Sequence, residues 1–185
     1  LAGCCDTSVS ETLEKIDVAE AAGADAAVVV TPYYLGTPQA GLERFFTAVA
    51  DEASFPMLMY NIPSLTGNKL EVETVTALAE HDRIVGLKDT SGNLAYHSNC
   101  IEATPDDFAV FQGATELATA SLDVGADGLI AGPANVFPKD MVRLFEAHAA
   151  GQDSEARRIF RDVTMPVVGA TSDIPTAPAL KYLLS

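Results

Sequence analysis

Tryptophan is absent from the 185-residue chain, and cysteine and basic residues are scarce. The three cysteines, Cys4, Cys5 and Cys100, show no CxxC spacing. That speaks against a disulfide framework or a cysteine zinc site and fits a reducing interior. The adjacent Cys4 and Cys5 read as small buried residues rather than a redox pair. Only 11 Lys and Arg stand against 26 Asp and Glu, a formal net charge of -15. Nucleic acid and anionic membrane both demand a basic face, so neither is an expected partner. No run of about 18 apolar residues exists, so no membrane-spanning helix is expected. The opening Leu1-Ala2-Gly3-Cys4-Cys5-Asp6 lacks the basic and apolar regions of a signal peptide. The expectation is a cytoplasmic protein with a heavily solvated acidic surface, of a composition that suits a high-salt cytoplasm.

What is present is a core and a repeated strand-then-helix pattern. Hydrophobic residues make up 48% of the chain, enough for one substantial core. Short apolar runs at 26–31, 56–60, 84–88, 108–112 and 128–132 are bounded by Gly, Pro or polar residues and read as buried parallel strands. Between them, Leu42, Phe45, Phe46 and Val49 follow helical spacing, with Thr37 as the expected N-cap and Pro38 at the first helical position. Ser8 and Glu11 make a capping box for a helix that buries Leu13 and Ile16 and stops at Gly23. Val72, Val75, Leu78 and Ala79 form another stripe. Gly23-Ala24-Asp25 and Gly125-Ala126-Asp127 echo each other, each ending a helix and leading into a strand. After Gly132 the pattern turns helical, at 138–150, about 154–163 and about 178–184. Alternation of this kind implies a parallel sheet with right-handed crossovers.

No G-x-G-x-x-G or P-loop follows an early strand, which weakens a doubly wound nucleotide-binding sheet. Polar groups instead sit at several strand ends: Tyr33 and Tyr34, Tyr60, Lys88, Gln112 and Asn135. A barrel gathers strand ends at one face, so a barrel is the favoured architecture. Lys88 is one of five lysines and the only one inside an apolar strand run. Desolvating an ammonium is expensive, and burial shifts a lysine toward the free amine that attacks ketones. The alternative is a strand-end lysine that snorkels to solvent or pairs with Asp89. Tyr60 ends the preceding strand, where its phenol is able to move protons or its ring simply to plug the strand ends. Thr90-Ser91-Gly92-Asn93 offers hydroxyls for a carboxylate, with Asn93 as a helix cap. Gly113-Ala114-Thr115-Glu116 offers backbone amides or a plain turn. His81, His97 and His148 share no metal-ligand spacing and are expected at the surface.

At these residues the sequence resembles the dihydrodipicolinate synthase and N-acetylneuraminate lyase family of Schiff-base aldolases. The matching strings are Thr31-Pro32-Tyr33-Tyr34, Tyr60-Asn61-Ile62-Pro63 with Thr66-Gly67, Gly86 to Gly92, and Gly128-Leu129-Ile130 running to Asn135-Val136. The resemblance implies an eight-stranded (β/α) TIM barrel, often tetrameric, with no metal or organic cofactor. It implies Lys88 as the imine lysine, Tyr60 as the proton-transfer tyrosine and Tyr34 as a tyrosine offered to a neighbouring subunit's site. Thr90 and Ile130 would line the keto-acid pocket, with Gly113 and Thr115, from the turn read above, as further candidates for substrate contact. The family's early Gly-Thr-Thr-Gly-Glu loop is not found, and Leu1-Ala2-Gly3 resembles the end of a third strand. The expectation is therefore an α/β fold comprising about strands 3 to 8, with residues 1–136 as a partial barrel and 137–185 as its last helix and a helical extension.

Substrate choice turns on Leu65. In the synthase branch an arginine five residues after the tyrosine binds the carboxylate of the aldehyde, and leucine cannot. That difference, with Lys88-Asp89-Thr90 resembling 2-keto-3-deoxygluconate aldolases, favours a lyase that reversibly cleaves a 2-keto-3-deoxy sugar acid to pyruvate and an aldehyde. The alternatives are 4-hydroxy-tetrahydrodipicolinate synthase and a non-catalytic truncated barrel scaffold. The expected partners are a small 2-keto acid, an aldehyde and further copies of the chain.

Overall fold

In the computed structural model, which describes residues 1–171 and 174–185, strands and helices alternate as the apolar pattern dictates. They fall into two compact units, Leu1–Val110 and Phe111–Ser185. The first holds β1 (Ala2–Gly3), α1 (Val9–Ala21), β2 (Ala27–Val30), α2 (Gln39–Glu52), β3 (Met57–Asn61), a single turn α3 (Pro63–Thr66), α4 (Val72–Ala79), β4 (Ile84–Asp89) and α5 (Leu94–Ala103). β5 (Ala109–Gln112) runs from this unit into the next. The second holds α6 (Ala118–Asp123), β6 (Gly128–Leu129), α7 (Pro138–Ala149), α8 (Asp153–Ile159), α9 (Met165–Thr171) and α10 (Thr176–Leu183). Among the described residues no helix is long and apolar enough to cross a membrane.

β1, β2, β3 and β4 pair in parallel in chain order, and β5 pairs in parallel with β6. Successive side chains in a strand point to opposite faces. Ala27, Val29, Met57, Met59 and Leu87 therefore share one face, where they form a core with Ile16 of α1, Phe46 of α2, Val75 of α4 and Cys100 of α5. Full burial of side chains such as Phe46 and Leu42 contributes about 1.5–3 kcal/mol each. Val28, Val30, Leu58, Tyr60 and Lys88 alternate with that set and belong to the other face. One irregularity intervenes: Met57 pairs with Ile84 but Leu58 with Gly86, so Val85 is an extra residue. Without that bulge the later part of β4 would present its opposite face, because a one-residue slip inverts every side chain.

Local signals account for the helix ends. Ser8 Oγ accepts from the Glu11 amide at 3.3 Å, and Gly23, at φ 80°, closes α1. Gly125, at φ 101°, plays the same part before β6, as the internal echo predicts. The expected cap at Thr37 needs correction. The N-cap of α2 is Pro38, whose carbonyl accepts from the Gly41 and Leu42 amides. Thr37 is occupied elsewhere, its amide donating to Asn68 Oδ1 at 2.7 Å. The C-terminal part is also more helical than the sequence pattern predicts. A π-turn at Phe160–Thr164 continues α8 and leads into α9. In the second unit Leu122, Leu144 and Ile159 form a small core of their own.

Candidate active site

The strand ends of β3 and β4 carry polar groups on both faces. On the face away from the helices, Tyr60 and Lys88 are register partners. Lys88 Nζ stands 4.0 Å from the centroid of the Tyr60 ring. A cation in that position is attracted by about 0.5–2 kcal/mol. Both side chains are half-buried rather than enclosed. A primary amine beside a phenol is able to add to a ketone while the phenol moves protons. Thr90 follows directly, its amide donating to Asn61 O at 2.8 Å. Its hydroxyl is buried without a hydrogen-bond partner among the described residues.

Asp89 is not the partner of Lys88. Strand alternation turns its carboxylate to the helix face, where it is fully buried. Oδ1 accepts from Asn61 Nδ2 and from the Ser91 amide, each at 3.0 Å. Oδ2 accepts from Ser91 Oγ at 3.0 Å and lies 3.3 Å from His97 Nδ1. Asn61 Oδ1 in turn accepts from the Leu70 amide at 3.1 Å. His97 is thus a correction to the sequence reading: it is fully buried, on the inward face of α5 between Tyr96 and Cys100. A buried carboxylate supplies the polar partner that makes such a position tolerable. His81 and His148 do lie partly exposed, in contacts with Asp51 and Asp123. Strand parity was the one available signal for the Asp89 cluster, since it sends Asp89 and Lys88 to opposite faces.

Tyr34 lies in the loop after β2, 92% exposed and with φ 79°, a left-handed conformation rare for a tyrosine. Buried Asn68 holds that loop. Its Nδ2 donates to Pro32 O at 2.7 Å and Leu35 O at 2.9 Å, while its Oδ1 receives the Thr37 amide. Nothing in the sequence pattern singled out Asn68. Leu65, on α3, is 78% exposed.

The remaining candidate residues belong to the second unit. Gly113 and Thr115 follow β5, and Ile130 follows β6. The Ile130 amide donates to Gln112 O at 2.9 Å, which sets the ends of β5 and β6 side by side. Gln112 Oε1 accepts from the Ala114 amide at 2.7 Å and shapes the turn that carries Gly113 and Thr115. The structure thus gathers Tyr60, Lys88 and Thr90 in one unit, and Gly113, Thr115 and Ile130 in the other.

Titration is perturbed behind the β4 strand end. Burial pushes the Cys100 thiol up to about 11, against a smaller lowering by the neighbouring Tyr96 hydroxyl. Burial likewise raises the Tyr96 phenol far above the ordinary range. Among the described residues no group of three His, Cys, Asp or Glu side chains is placed to hold a metal ion.

Comparison with known proteins extends these observations over the whole chain. Residues 1–185 match the dihydrodipicolinate synthetase family. A 4-hydroxy-tetrahydrodipicolinate synthase from Exiguobacterium sibiricum is 41% identical over 187 residues, covering 99% of this chain and 64% of that protein. One from Methanopyrus kandleri is 40% identical over 188 residues, covering 99% and 62%. Among solved structures, a 2-keto 3-deoxygluconate aldolase from Picrophilus torridus superposes with a TM-score of 0.90 at 30% identity, covering 99% of this chain and 66% of that one. A dihydrodipicolinate synthase from Thermotoga maritima superposes with a TM-score of 0.88 at 28% identity, covering 94% and 60%. This chain therefore spans rather less than two thirds of the curated relatives it matches. It belongs to the dihydrodipicolinate synthetase family.

Proposed function

We propose that Lys88 forms an imine with pyruvate and that Tyr60 moves the protons of that reaction. The observation that carries the reading is the register pairing of the two residues, with the lysine nitrogen 4.0 Å above the tyrosine ring. The amine adds to the ketone of pyruvate to give a carbinolamine, and loss of water gives the iminium. The iminium draws in electrons when a proton leaves the pyruvate methyl, and the resulting enamine attacks an aldehyde. In the reverse direction the iminium formed with the longer 2-keto acid accepts the electrons of the breaking C3–C4 bond, releasing the aldehyde and leaving the pyruvate enamine. On this reading Thr90 and Ile130 line the keto-acid pocket, Gly113 and Thr115 contact substrate, and Tyr34 serves a neighbouring copy in a homotetramer. The six strands then correspond to strands 3 to 8 of an eight-stranded barrel. The imine itself needs neither metal nor organic cofactor.

The reaction we favour is 4-hydroxy-tetrahydrodipicolinate synthesis from pyruvate and aspartate semialdehyde. The names of both curated relatives support it, and that weight reverses the preference drawn from Leu65 and from Lys88-Asp89-Thr90. Leu65 keeps cleavage of a 2-keto-3-deoxy sugar acid as the second reading, together with the likeness to an aldolase of that kind. The first experiment is incubation of the full-length protein with pyruvate and borohydride, followed by mass analysis of the peptide containing Lys88. An adduct there is expected. Its appearance on another lysine removes the assignment of Lys88, and its absence leaves the non-catalytic scaffold. Parallel assays with aspartate semialdehyde and with 2-keto-3-deoxygluconate then separate the two reactions.

A further inference from the structure

Behind the proposed imine lysine, on the other face of the same strand pair, lies a buried polar cluster that the reaction does not use. Asn61 and Asp89 are register partners, one residue beyond Tyr60 and Lys88. Their side chains join directly, Asn61 Nδ2 to Asp89 Oδ1 at 3.0 Å. Both are fully buried, so water does not compete for the bond. The pairing between β3 and β4 is not secured by a regular ladder, because the extra residue Val85 shifts the register just before this point. A slip of one residue there would carry Lys88 to the helix face and Asp89 to the site face. A bond between side chains at one register position opposes that slip, since it forms only when Asn61 faces Asp89.

The rest of the cluster is built around the same carboxylate. Ser91 closes both oxygens from the chain immediately downstream, and His97 Nδ1 approaches Oδ2 from α5. His97 Nε2 is buried with no hydrogen-bond partner among the described residues. A buried ring that leaves one nitrogen unpaired is retained at a cost in stability. Its contact with Asp89 is the compensating observation.

We propose that Asn61 and Asp89, supported by Ser91 and His97, are positioning residues that fix the register of β3 on β4 so that Tyr60 and Lys88 emerge together on the opposite face. The inference rests on the imine reading of Lys88. It predicts that the cluster controls how fast the amine meets pyruvate, and not only whether the protein folds.

The test replaces the bond by a repulsion that can be switched. In Asn61→Asp the new carboxyl keeps an acceptor for the Leu70 amide but faces Asp89. Two carboxyls at that distance share one proton in mildly acidic solution and repel once both ionise. The other titratable groups around this point are His97, Tyr96 and Cys100 from α5 and Lys69 and Glu71 from the segment before α4. All are common to the wild type, so the ratio of variant to wild type isolates the new pair. Full chains are mixed with saturating pyruvate and cyanoborohydride across mildly acidic to mildly alkaline pH. The rate of adduct formation on the Lys88 peptide is read per folded molecule, with the folded fraction from circular dichroism.

The expected variant rate is within about two-fold of wild type in acid and about ten-fold or more lower in alkali, as for a reacting group displaced by a fraction of an ångström. Asn61→Asp combined with Asp89→Asn restores an amide–carboxylate bond at unchanged net charge and is expected to recover the alkaline rate several-fold. An Asn61→Asp profile parallel to wild type overturns the proposal, as does a folded double variant that recovers nothing. If Asn61→Asp unfolds in alkali, the double variant alone decides in the same way. A wild type that gives no Lys88 adduct fails the imine reading itself, whereas a normal wild type with an indifferent variant fails only the positioning role.

Discussion

Gly86 and the carbonyl of Ala109 are so close that a β-carbon on Gly86 would stand 2.5 Å from the Ala109 oxygen. Real contacts of that kind do not occur, so the beginning of β5 lies against β4 only because residue 86 has no side chain. Gly86 also follows the extra residue Val85 and precedes Lys88 by two positions on the same face. Gly86→Ala is therefore expected to force the backbones apart and to destabilise the fold by about 1–3 kcal/mol. Urea denaturation with an unchanged slope and a lowered midpoint would show it. Pyruvate trapping at Lys88 should fall in the fraction that remains folded.

Buried Asn68 is expected to be the anchor of the Tyr34 loop. Asn68→Ala leaves Pro32 O, Leu35 O and the Thr37 amide without their present partner. Loss of several buried hydrogen bonds costs about 1–3 kcal/mol for each group left unsatisfied by water. Hydrogen exchange should accelerate most at Thr37, whose amide now donates to Asn68, while amides of β3 and β4 keep their protection. Uniform acceleration through both regions would mean that the loop has no separate anchor.

Much of the fold was legible because the apolar runs and helix signals of the first 132 residues are local. Cap residues Ser8 and Asn93 act within three residues of themselves, and both cap as the sequence predicts. The juxtaposition of Tyr60 with Lys88 was legible for a different reason: they lie one residue before the ends of consecutive parallel strands. What was hidden depends on contacts between distant segments. Asn68 serves a loop more than thirty residues upstream, as its separation from Thr37 shows. His97 is buried because Asp89 is there to receive it, and helical spacing alone gave the ring no partner. Thr37 lost its cap role to the same kind of long-range competition.

Tyr34 should show stability and function pulling apart. A tyrosine at φ 79° bears backbone strain of about 1–2 kcal/mol, which asparagine tolerates better. With 92% of its surface exposed, the ring contributes little packing within the chain. Tyr34→Asn is expected to raise unfolding stability by up to about 1 kcal/mol while lowering turnover, if the strain is kept for the tyrosine's role at a neighbouring site. A calorimetric scan and a turnover assay on the same preparation test both halves. A variant that is both less stable and fully active would contradict them together.

Cys100 sets an alkaline limit on stability. Its thiol is held at about 11 in the fold, above an ordinary value of 9.0, because burial disfavours the thiolate. The folded state therefore keeps a proton that the unfolded chain releases. Below pH 9 both states are protonated and the group has no effect. Between about 9 and 11 stability falls with rising pH, by up to about 3 kcal/mol from this group. The Tyr96 phenol, raised in the same direction, adds to the fall at higher pH. Cys100→Ala is expected to flatten the lower part of that slope in urea titrations run at a series of pH values. In the native protein Cys100 should resist thiol reagents at pH 8 until denaturant is added.

Leu65→Arg decides how far one exposed side chain selects the aldehyde. Leu65 is 78% exposed on α3, so a longer charged residue there displaces no core, and stability should change by no more than about 0.5 kcal/mol. Its effect belongs to the second substrate. A guanidinium offers two parallel N–H donors to a carboxylate, a contact worth about 1.5–3 kcal/mol. The efficiency of condensation with aspartate semialdehyde is therefore expected to rise about ten- to a hundred-fold. Pyruvate trapping at Lys88, which precedes the aldehyde, should keep its wild-type rate, and an uncharged aldehyde should gain nothing. Equal gains with charged and uncharged aldehydes would show that residue 65 does not meet the carboxylate. No gain with either would place the aldehyde away from α3 altogether.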